Sequence, residues 1–173
     1  MSTITKKVCL IGDFNVGKTS LVRRFVDDKF SDEYLSTVGV KVSRRSINLP
    51  TQNTDRVDLL LWDLEGNTKF RSITPTYLKG SSGSIIVADL TRASTISNIK
   101  HHTELFLRVN PKGKIVVALN KADLISQEKR DKLVDNYRSQ NLQQVAGCYQ
   151  TSAKTGKNVV NMFEKLAELA VSV

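Results

Sequence analysis

The residues best suited to chemistry form one short run near the N-terminus, "GDFNVGKT". The run fits G-x-x-x-x-G-K-[ST], a pattern in which glycines and backbone N–H groups surround phosphate oxygens at the start of a helix. An apolar strand-like segment, "VCLI", precedes it and a helical pattern, "TSLVRRFVDD", follows it, whereas a plain glycine-rich turn needs neither. The sequence therefore predicts a phosphate-binding loop made of Gly12, Asp13, Phe14, Asn15, Val16, Gly17, Lys18, Thr19 and Ser20.

Two side chains of this loop are expected to act directly on a nucleotide. Lys18 is placed to reach the β- and γ-phosphates, and Thr19 offers a hydroxyl to Mg²⁺. The cofactor expected is therefore Mg²⁺, with a nucleoside triphosphate as the ligand.

Two later segments indicate which base is bound. Guanine presents two donors that one carboxylate accepts together, and Asp123 in "NKADL" is that carboxylate at the end of a buried strand. In "TSAKTG", the Ala153 N–H is placed to donate to guanine O6. The predicted base-binding residues are Asn120, Lys121, Asp123, Ser152, Ala153 and Lys154. The pattern favours GTP and disfavours an ATP-dependent kinase, because Asp123 would meet no donors on adenine.

Short apolar runs alternate with amphipathic stretches along the chain, which is typical of a wound α/β sheet. The predicted strands are residues 8–11, 40–49, 57–62, 84–89, 115–120 and 145–150. The predicted helices are 18–27, a short irregular one at 69–77, 96–109, 127–141 and 159–171. The turn "NLPTQNTDR" is too short for a crossover helix, so we expect the strands beside it to form an antiparallel hairpin in a mixed sheet. One domain is expected over residues 1–173.

Composition narrows the class of protein. The chain has 173 residues, 40% hydrophobic and 25% charged, as ordinary globular domains do. We find no signal-peptide pattern and no run near the roughly 20 apolar residues of a membrane span, so a cytoplasmic location is expected. The net charge is +9, but the basic residues are dispersed and have no interleaved aromatics. A solvated surface, and no nucleic-acid partner, is therefore favoured, with a weak preference for an acidic lipid or partner left open.

The motifs "GDFNVGKT", "STVG", "WDLEG", "NKAD" and "SAK" occur in the order and at the spacing of the Ras superfamily of small GTPases. The chain resembles that superfamily over nearly its whole length, and "FSDEYLSTVGV" and "LLLWDLEG" look most like the Rab branch. The resemblance implies the P-loop NTPase (small G protein) fold, a six-stranded mixed sheet with one antiparallel hairpin and five flanking helices. It also implies binding of GTP and GDP.

The resemblance implies further roles by position. Thr37 matches the switch I threonine that ligates Mg²⁺ and senses the γ-phosphate, and Phe30 matches the aromatic that stacks on guanine. Asp63 matches the carboxylate that holds Mg²⁺ through water, and Gly66 the glycine whose N–H contacts the γ-phosphate. The implied metal ligands are Thr19, Thr37 and Asp63, and the implied catalytic set is Lys18, Thr37, Gly66 and Asn67. Effectors, exchange factors and activating proteins are expected to bind through residues 30–45 and 63–80.

Three residues depart from the family pattern. Asn67 stands where the family has the glutamine that orients the attacking water, and Phe14 stands where Ras has glycine and Rabs commonly serine or alanine. Val42 replaces an aromatic residue of the Rab effector surface. We expect Phe14 and Asn67 to make hydrolysis slow, unless Phe14 folds outward over the segment 63–80 as packing.

Two functions follow from these residues. The first is a GTP-dependent switch with slow hydrolysis that regulates partners in signalling or membrane trafficking. The alternative is a pseudo-GTPase-like scaffold that stays loaded with nucleotide. Rabs end in a segment with prenylated cysteines, whereas the last cysteine here is Cys148. A peripheral membrane location is therefore expected only indirectly or through a tail absent from this chain.

Overall fold

The structure is a computed structural model that describes residues 2–49, 55–68 and 72–172. The strands are β1 (Thr3–Gly12), β2 (Val40–Asn48), β3 (Arg56–Leu64), β4 (Gly83–Asp89), β5 (Lys114–Asn120) and β6 (Val145–Gln150). They form one six-stranded sheet in the order β2-β3-β1-β4-β5-β6. The pair β2–β3 is antiparallel and the other neighbouring pairs are parallel. The mixed sheet with one antiparallel pair is thus confirmed.

Helices cover both faces of this sheet. They are α1 (Lys18–Asp27), α2 (Ala93–Ser97), α3 (Ile99–Val109), α4 (Gln127–Ser139) and α5 (Val159–Val171). Two short 3₁₀ turns, Pro75–Leu78 and Ala122–Leu124, complete the described elements. Among the described residues, none of the helices combines the length and the apolar character that a bilayer crossing needs.

The C-terminal half of the central strand β1 is buried on both faces of the sheet, since successive side chains from Val8 to Ile11 point to opposite sides and all are buried. Val8 and Leu10 belong to the apolar cluster formed with α1 and α5, whereas Cys9 and Ile11 belong to the cluster on the opposite face, to which α2, α3 and α4 contribute. A strand that feeds two apolar clusters is fixed in position, so the loop that follows it starts from a rigid support.

The fold departs from the predicted elements at two helices. Residues 72–74 are not helical and Pro75–Leu78 is a 3₁₀ turn, while 69–71 lie outside the described residues. In its described part, the short irregular helix predicted at 69–77 is therefore confirmed only at residues 75–77, because the residue before a proline avoids α-helical backbone and Thr74 is extended. The helix predicted at 96–109 is two helices, α2 and α3, which divide at Asn98.

Five parallel strands end at the same edge of the sheet, where wound α/β folds bind their ligands. The carboxyl ends of β1, β3, β4, β5 and β6 are followed there by the loops that carry the predicted site residues.

Candidate functional site

The loop between β1 and α1 turns tightly because two glycines admit close backbone approaches. A Cβ atom on Gly12 would lie 2.4 Å from the carbonyl oxygen of Val87, and one on Gly17 would lie 2.3 Å from Asn120 Nδ2. Gly17 has a φ of 102°, and Asn15 also takes the left-handed region with a φ of 60°. The loop leads directly into the N-terminus of α1, whose unpaired N–H groups favour an anion.

Side chains from β4, β5 and α3 and from the loops beside them hold the residues 13–16. The contacts join Asn98 Nδ2 and His102 Nε2 to the Asp13 carboxylate, Arg92 Nη2 to the Phe14 carbonyl, Lys121 Nζ to the Asn15 carbonyl, and Asn120 Nδ2 to the Val16 carbonyl, at 2.6–3.0 Å. Burial disfavours the charged form of Asp13, but hydrogen bonds from His102 and Asn98 outweigh it and keep the pKa of Asp13 below its ordinary value. The loop is therefore shaped by the protein itself.

Lys18 is buried inside this loop. Its Nζ donates to the carbonyl oxygens of Gly12 at 3.1 Å and Asp13 at 3.0 Å. Burial lowers the pKa of Lys18 to about 8, although the carboxylates of Asp63 and Asp13 act in the opposite direction. A cation held away from water in this way interacts strongly with an anion that enters the loop.

Thr19, Thr37 and Asp63 converge from three segments of the chain. The hydroxyls of Thr19 and Thr37 are 2.7 Å apart, and Thr19 Oγ1 also donates to Asp63 Oδ2. Asp63 Oδ1 is buried and has no hydrogen-bond partner among the described residues. Burial raises the pKa of Asp63, so its charge is costly here without a cation. Two hydroxyls and a carboxylate with one bare oxygen form a set of hard oxygen donors, which fits Mg²⁺.

The base-recognition residues lie on two neighbouring loops that are tied together. Ser152 Oγ donates to Asp123 Oδ1 at 2.7 Å, which orients the carboxylate. From α1, Arg24 donates through Nε to the carbonyl of Ala153 at 2.8 Å and through Nη2 to that of Lys154 at 2.6 Å. One helix therefore holds both the phosphate loop and the second base loop.

The segment after β3 pairs with the phosphate loop. Asn67 N donates to the Gly12 carbonyl at 3.1 Å, and Phe14 N donates to the Asn67 carbonyl at 3.0 Å. A Cβ atom on Gly66 would lie 2.5 Å from Phe14 Cα, so this approach requires glycine. The ring of Phe14 meets Tyr34 of the segment 30–45, which is not the packing over 63–80 considered as the alternative.

These segments enclose a cavity of about 340 Å³. The predicted residues that line it are Phe14, Asn15, Gly17, Lys18, Thr19, Ser20, Phe30, Thr37, Gly66, Asn120, Lys121, Asp123, Ala153 and Lys154. The other predicted residues, which are Gly12, Asp13, Val16, Asp63, Asn67 and Ser152, contact this lining through the bonds described above or through the core.

Several residues of the site belong to none of the sequence motifs that predicted it. Arg24, Tyr34, Arg92, Asn98 and His102 all touch the predicted loops. A signal for His102 does exist, because it shares the helical spacing of residues 99, 103 and 106, which all face the interior.

The comparisons with known proteins agree with this arrangement. The family described as "Ras family" matches residues 7–172. The GTP-binding protein ypt5 of Schizosaccharomyces pombe is 36% identical over 168 residues, covering 96% of this chain and 78% of the relative. The Ras-related protein RABE1d of Arabidopsis thaliana is 35% identical, covering 94% of this chain and 74% of its own. The Ras-related protein SEC4 of Saccharomyces cerevisiae is 34% identical, covering 94% and 74% respectively. The chain therefore belongs to the Ras family and is a Rab-like small GTPase.

Proposed function

We propose that this protein is a GTP-binding molecular switch, folded as one domain over residues 1–173, that hydrolyses GTP slowly to GDP and phosphate. The observation that carries the proposal is the meeting of Thr19 on α1 with Thr37 and Asp63 beside the buried Lys18. Because Thr37 belongs to the segment before β2, a ligand held at this point controls the position of that segment.

The phosphate loop supplies the binding of the triphosphate. Lys18 and the N–H groups at the start of α1 receive the β- and γ-phosphates. Thr19 and Thr37, with Asp63 behind them, would hold Mg²⁺, which would supply positive charge to the phosphate oxygens. Gly66 places a backbone N–H next to the loop, where it senses the γ-phosphate.

The base is selected at the other end of the cavity. Asp123, fixed by Ser152, accepts the two guanine donors, and the Ala153 N–H donates to guanine O6. Phe30 lines the same cavity as an apolar wall against which the base stacks.

Hydrolysis is slow because of Asn67 and Phe14. Asn67 is one methylene shorter than glutamine, a loss of roughly 1.5 Å of reach, and misplacement by about 1 Å costs on the order of a hundredfold in rate. The Phe14 ring lines the cavity and takes space that an arginine finger from an activating protein needs. The backbone hydrogen bonds between Asn67 and the phosphate loop also support the second candidate, a nucleotide-loaded scaffold, because they fix the position of Asn67.

Partners are proposed to read the segments 30–45 and 63–80. In the first of these, Tyr34, Leu35, Val38 and Val42 are exposed apolar side chains, which are typical of a protein-binding surface. Because Rab-like relatives match nearly the whole chain, we place the protein in signalling or membrane trafficking, cytoplasmic and peripheral to membranes.

The proposal is tested by nucleotide competition on the purified chain. GTP should displace a fluorescent GDP analogue at least roughly tenfold better than ATP, because ATP leaves the Asp123 carboxylate without its donors. Asp123→Asn should weaken GTP and improve xanthosine triphosphate, while Asp135→Asn, an exposed change on α4, should alter neither. Equal competition by ATP and GTP would overturn the proposal.

A further inference from the structure

His102 is an imidazole in the interior of the protein. It lies on the inward face of α3 with Ile99, Thr103 and Phe106, and it is fully buried. Burying a polar ring among such neighbours costs free energy unless the ring is hydrogen-bonded. Its Nε2 lies 2.8 Å from Asp13 Oδ1, whereas Nδ1 is buried and has no partner in the described part of the chain. Because an ionised carboxylate can only accept hydrogen bonds, Nε2 carries the proton and donates a hydrogen bond to Asp13.

Asn98 holds the other oxygen of the same carboxylate. Its Nδ2 donates to Asp13 Oδ2 at 2.7 Å from the junction where α2 ends and α3 begins. Both carboxylate oxygens of Asp13 therefore accept hydrogen bonds from the α3 side of the sheet. None of these contacts belongs to the lining of the nucleotide cavity, which includes neither Asn98 nor His102.

Asp13 in turn fixes the part of the phosphate loop that does the binding. Its carbonyl oxygen accepts from Lys18 Nζ at 3.0 Å, and its backbone forms a bridge with Asn67. The next carbonyl, that of Phe14, accepts from Arg92 Nη2 at 2.6 Å. A displacement of Asp13 therefore moves both the lysine and the segment that follows β3.

We propose that Asn98 and His102 are positioning residues that hold the phosphate loop through Asp13 and thereby slow the dissociation of nucleotide. The proposal rests on the proposed function, since it concerns release from the same cavity. A loop that is already ordered loses less conformational freedom when a ligand binds, so its complex lasts longer. Removing these hydrogen bonds to Asp13 lets the phosphate loop sample other conformations and shortens the lifetime of the complex with nucleotide.

The experiment measures release of a fluorescent GDP analogue from the purified chain in Mg²⁺ buffer. His102→Phe keeps a ring in the interior but removes the donor, and release should become about tenfold faster, as expected for loss of a buried hydrogen bond to a carboxylate. His101→Phe is the matched control, because His101 is the exposed neighbour on the same helix. It should change release by less than about twofold.

A rescue variant separates positioning from simple stability. The amide nitrogen of Gln reaches the place of Nε2, so His102→Gln should restore most of the slow release. Asn98→Ala, an exposed change that spares the core, should speed release by about threefold. The effects of His102→Phe and Asp13→Ala should not add in the double variant, because both remove the same bond.

The melting temperature of each variant is recorded with GDP bound. A purely structural His102 would lower the melting temperature and leave release within about twofold of wild type, and that result overturns the proposal. A His102→Gln variant that releases GDP as fast as His102→Phe overturns it as well. A wild-type chain that binds no guanine nucleotide instead refutes the proposed function, so the two failures are distinct.

Discussion

The rings of Phe14 and Tyr34 meet edge to face, with centroids 5.5 Å apart and planes inclined by 75°. Phe14 belongs to the phosphate loop and Tyr34 to the segment 30–45, and both line the cavity. The contact therefore joins two segments that line the same cavity, and we expect a departing nucleotide to separate them.

Removing either ring should accelerate GDP release. An edge-to-face pair contributes about 0.5 to 1.5 kcal/mol, so Phe14→Ala and Tyr34→Ala should each speed release by roughly twofold to tenfold. Stopped-flow fluorescence with a GDP analogue measures the rate. Tyr34→Phe keeps the ring and serves as the control. Release from Phe14→Ala at the wild-type rate would show that the contact does not restrain the nucleotide.

Restoring the usual residues should accelerate hydrolysis. Phe14→Gly opens space beside the γ-phosphate and Asn67→Gln restores the reach of the carboxamide, so the double variant should hydrolyse GTP at least roughly tenfold faster than wild type. Single-turnover phosphate release in saturating Mg²⁺ measures this. A wild type as fast as ordinary small GTPases, with no gain in either variant, would contradict the explanation.

Chelating Mg²⁺ should accelerate release of nucleotide. Thr19 and Thr37 present their hydroxyls together, and Thr19→Asn removes one of them. Because losing even an outer partner of a metal site costs on the order of tenfold in metal affinity, this variant should need at least tenfold more Mg²⁺ to retain GDP. A titration of Mg²⁺ against release rate measures the change. Thr5→Asn, an exposed change on β1, should behave as wild type. A release rate that ignores chelator would argue against this metal site.

The stacked rings of Phe25 on α1 and Phe163 on α5 should carry much of the stability on their face of the sheet. Their centroids are 4.1 Å apart with planes at 8°, and Phe163 is fully buried. Phe163→Ala should lower the free energy of unfolding by about 3 to 5 kcal/mol. Val160→Ala, an exposed change on α5, should stay within about 0.5 kcal/mol. Urea denaturation at one fixed GDP concentration measures both, since bound ligand adds to stability. Equal losses would place the stabilising contacts elsewhere.

Much of the sheet was predictable because buried parallel strands are continuous apolar runs. The strand β1 nevertheless begins at Thr3 rather than at residue 8, since "TITKK" has no apolar run and is extended only through its pairing with β3. The division of the predicted helix 96–109 at Asn98 was also not predictable from the sequence. The amide of this residue bonds to Asp13, which is far away in sequence, and no local pattern reports such a bond.

The candidate site divides in the same way. Lys18, Thr19 and Asp123 belong to motifs whose spacing carries the chemistry, so the sequence alone names them. Arg24 and His102 contact those motifs from helices. An arginine or a histidine in a helix pattern does not by itself indicate a contact with a loop that is distant in sequence. Cys148 illustrates the opposite case, because a cysteine in strand-like surroundings is usually buried and yet Cys148 is exposed on β6, a strand at the edge of the sheet.

The hydrogen bonds that hold the phosphate loop also affect when the site can form during synthesis on the ribosome. The loop emerges first, but β1 is flanked in the sheet by β3 and β4, and the side chains that shape residues 13–16 come from positions 92–121. The loop that supports Asp123 comes later still, at 152–154. During synthesis, a partial chain therefore carries the nucleotide motif without the surroundings that make it bind. Capture of a nucleotide therefore requires residues up to 154, and the bound nucleotide then favours the folded state of this domain over its unfolded state.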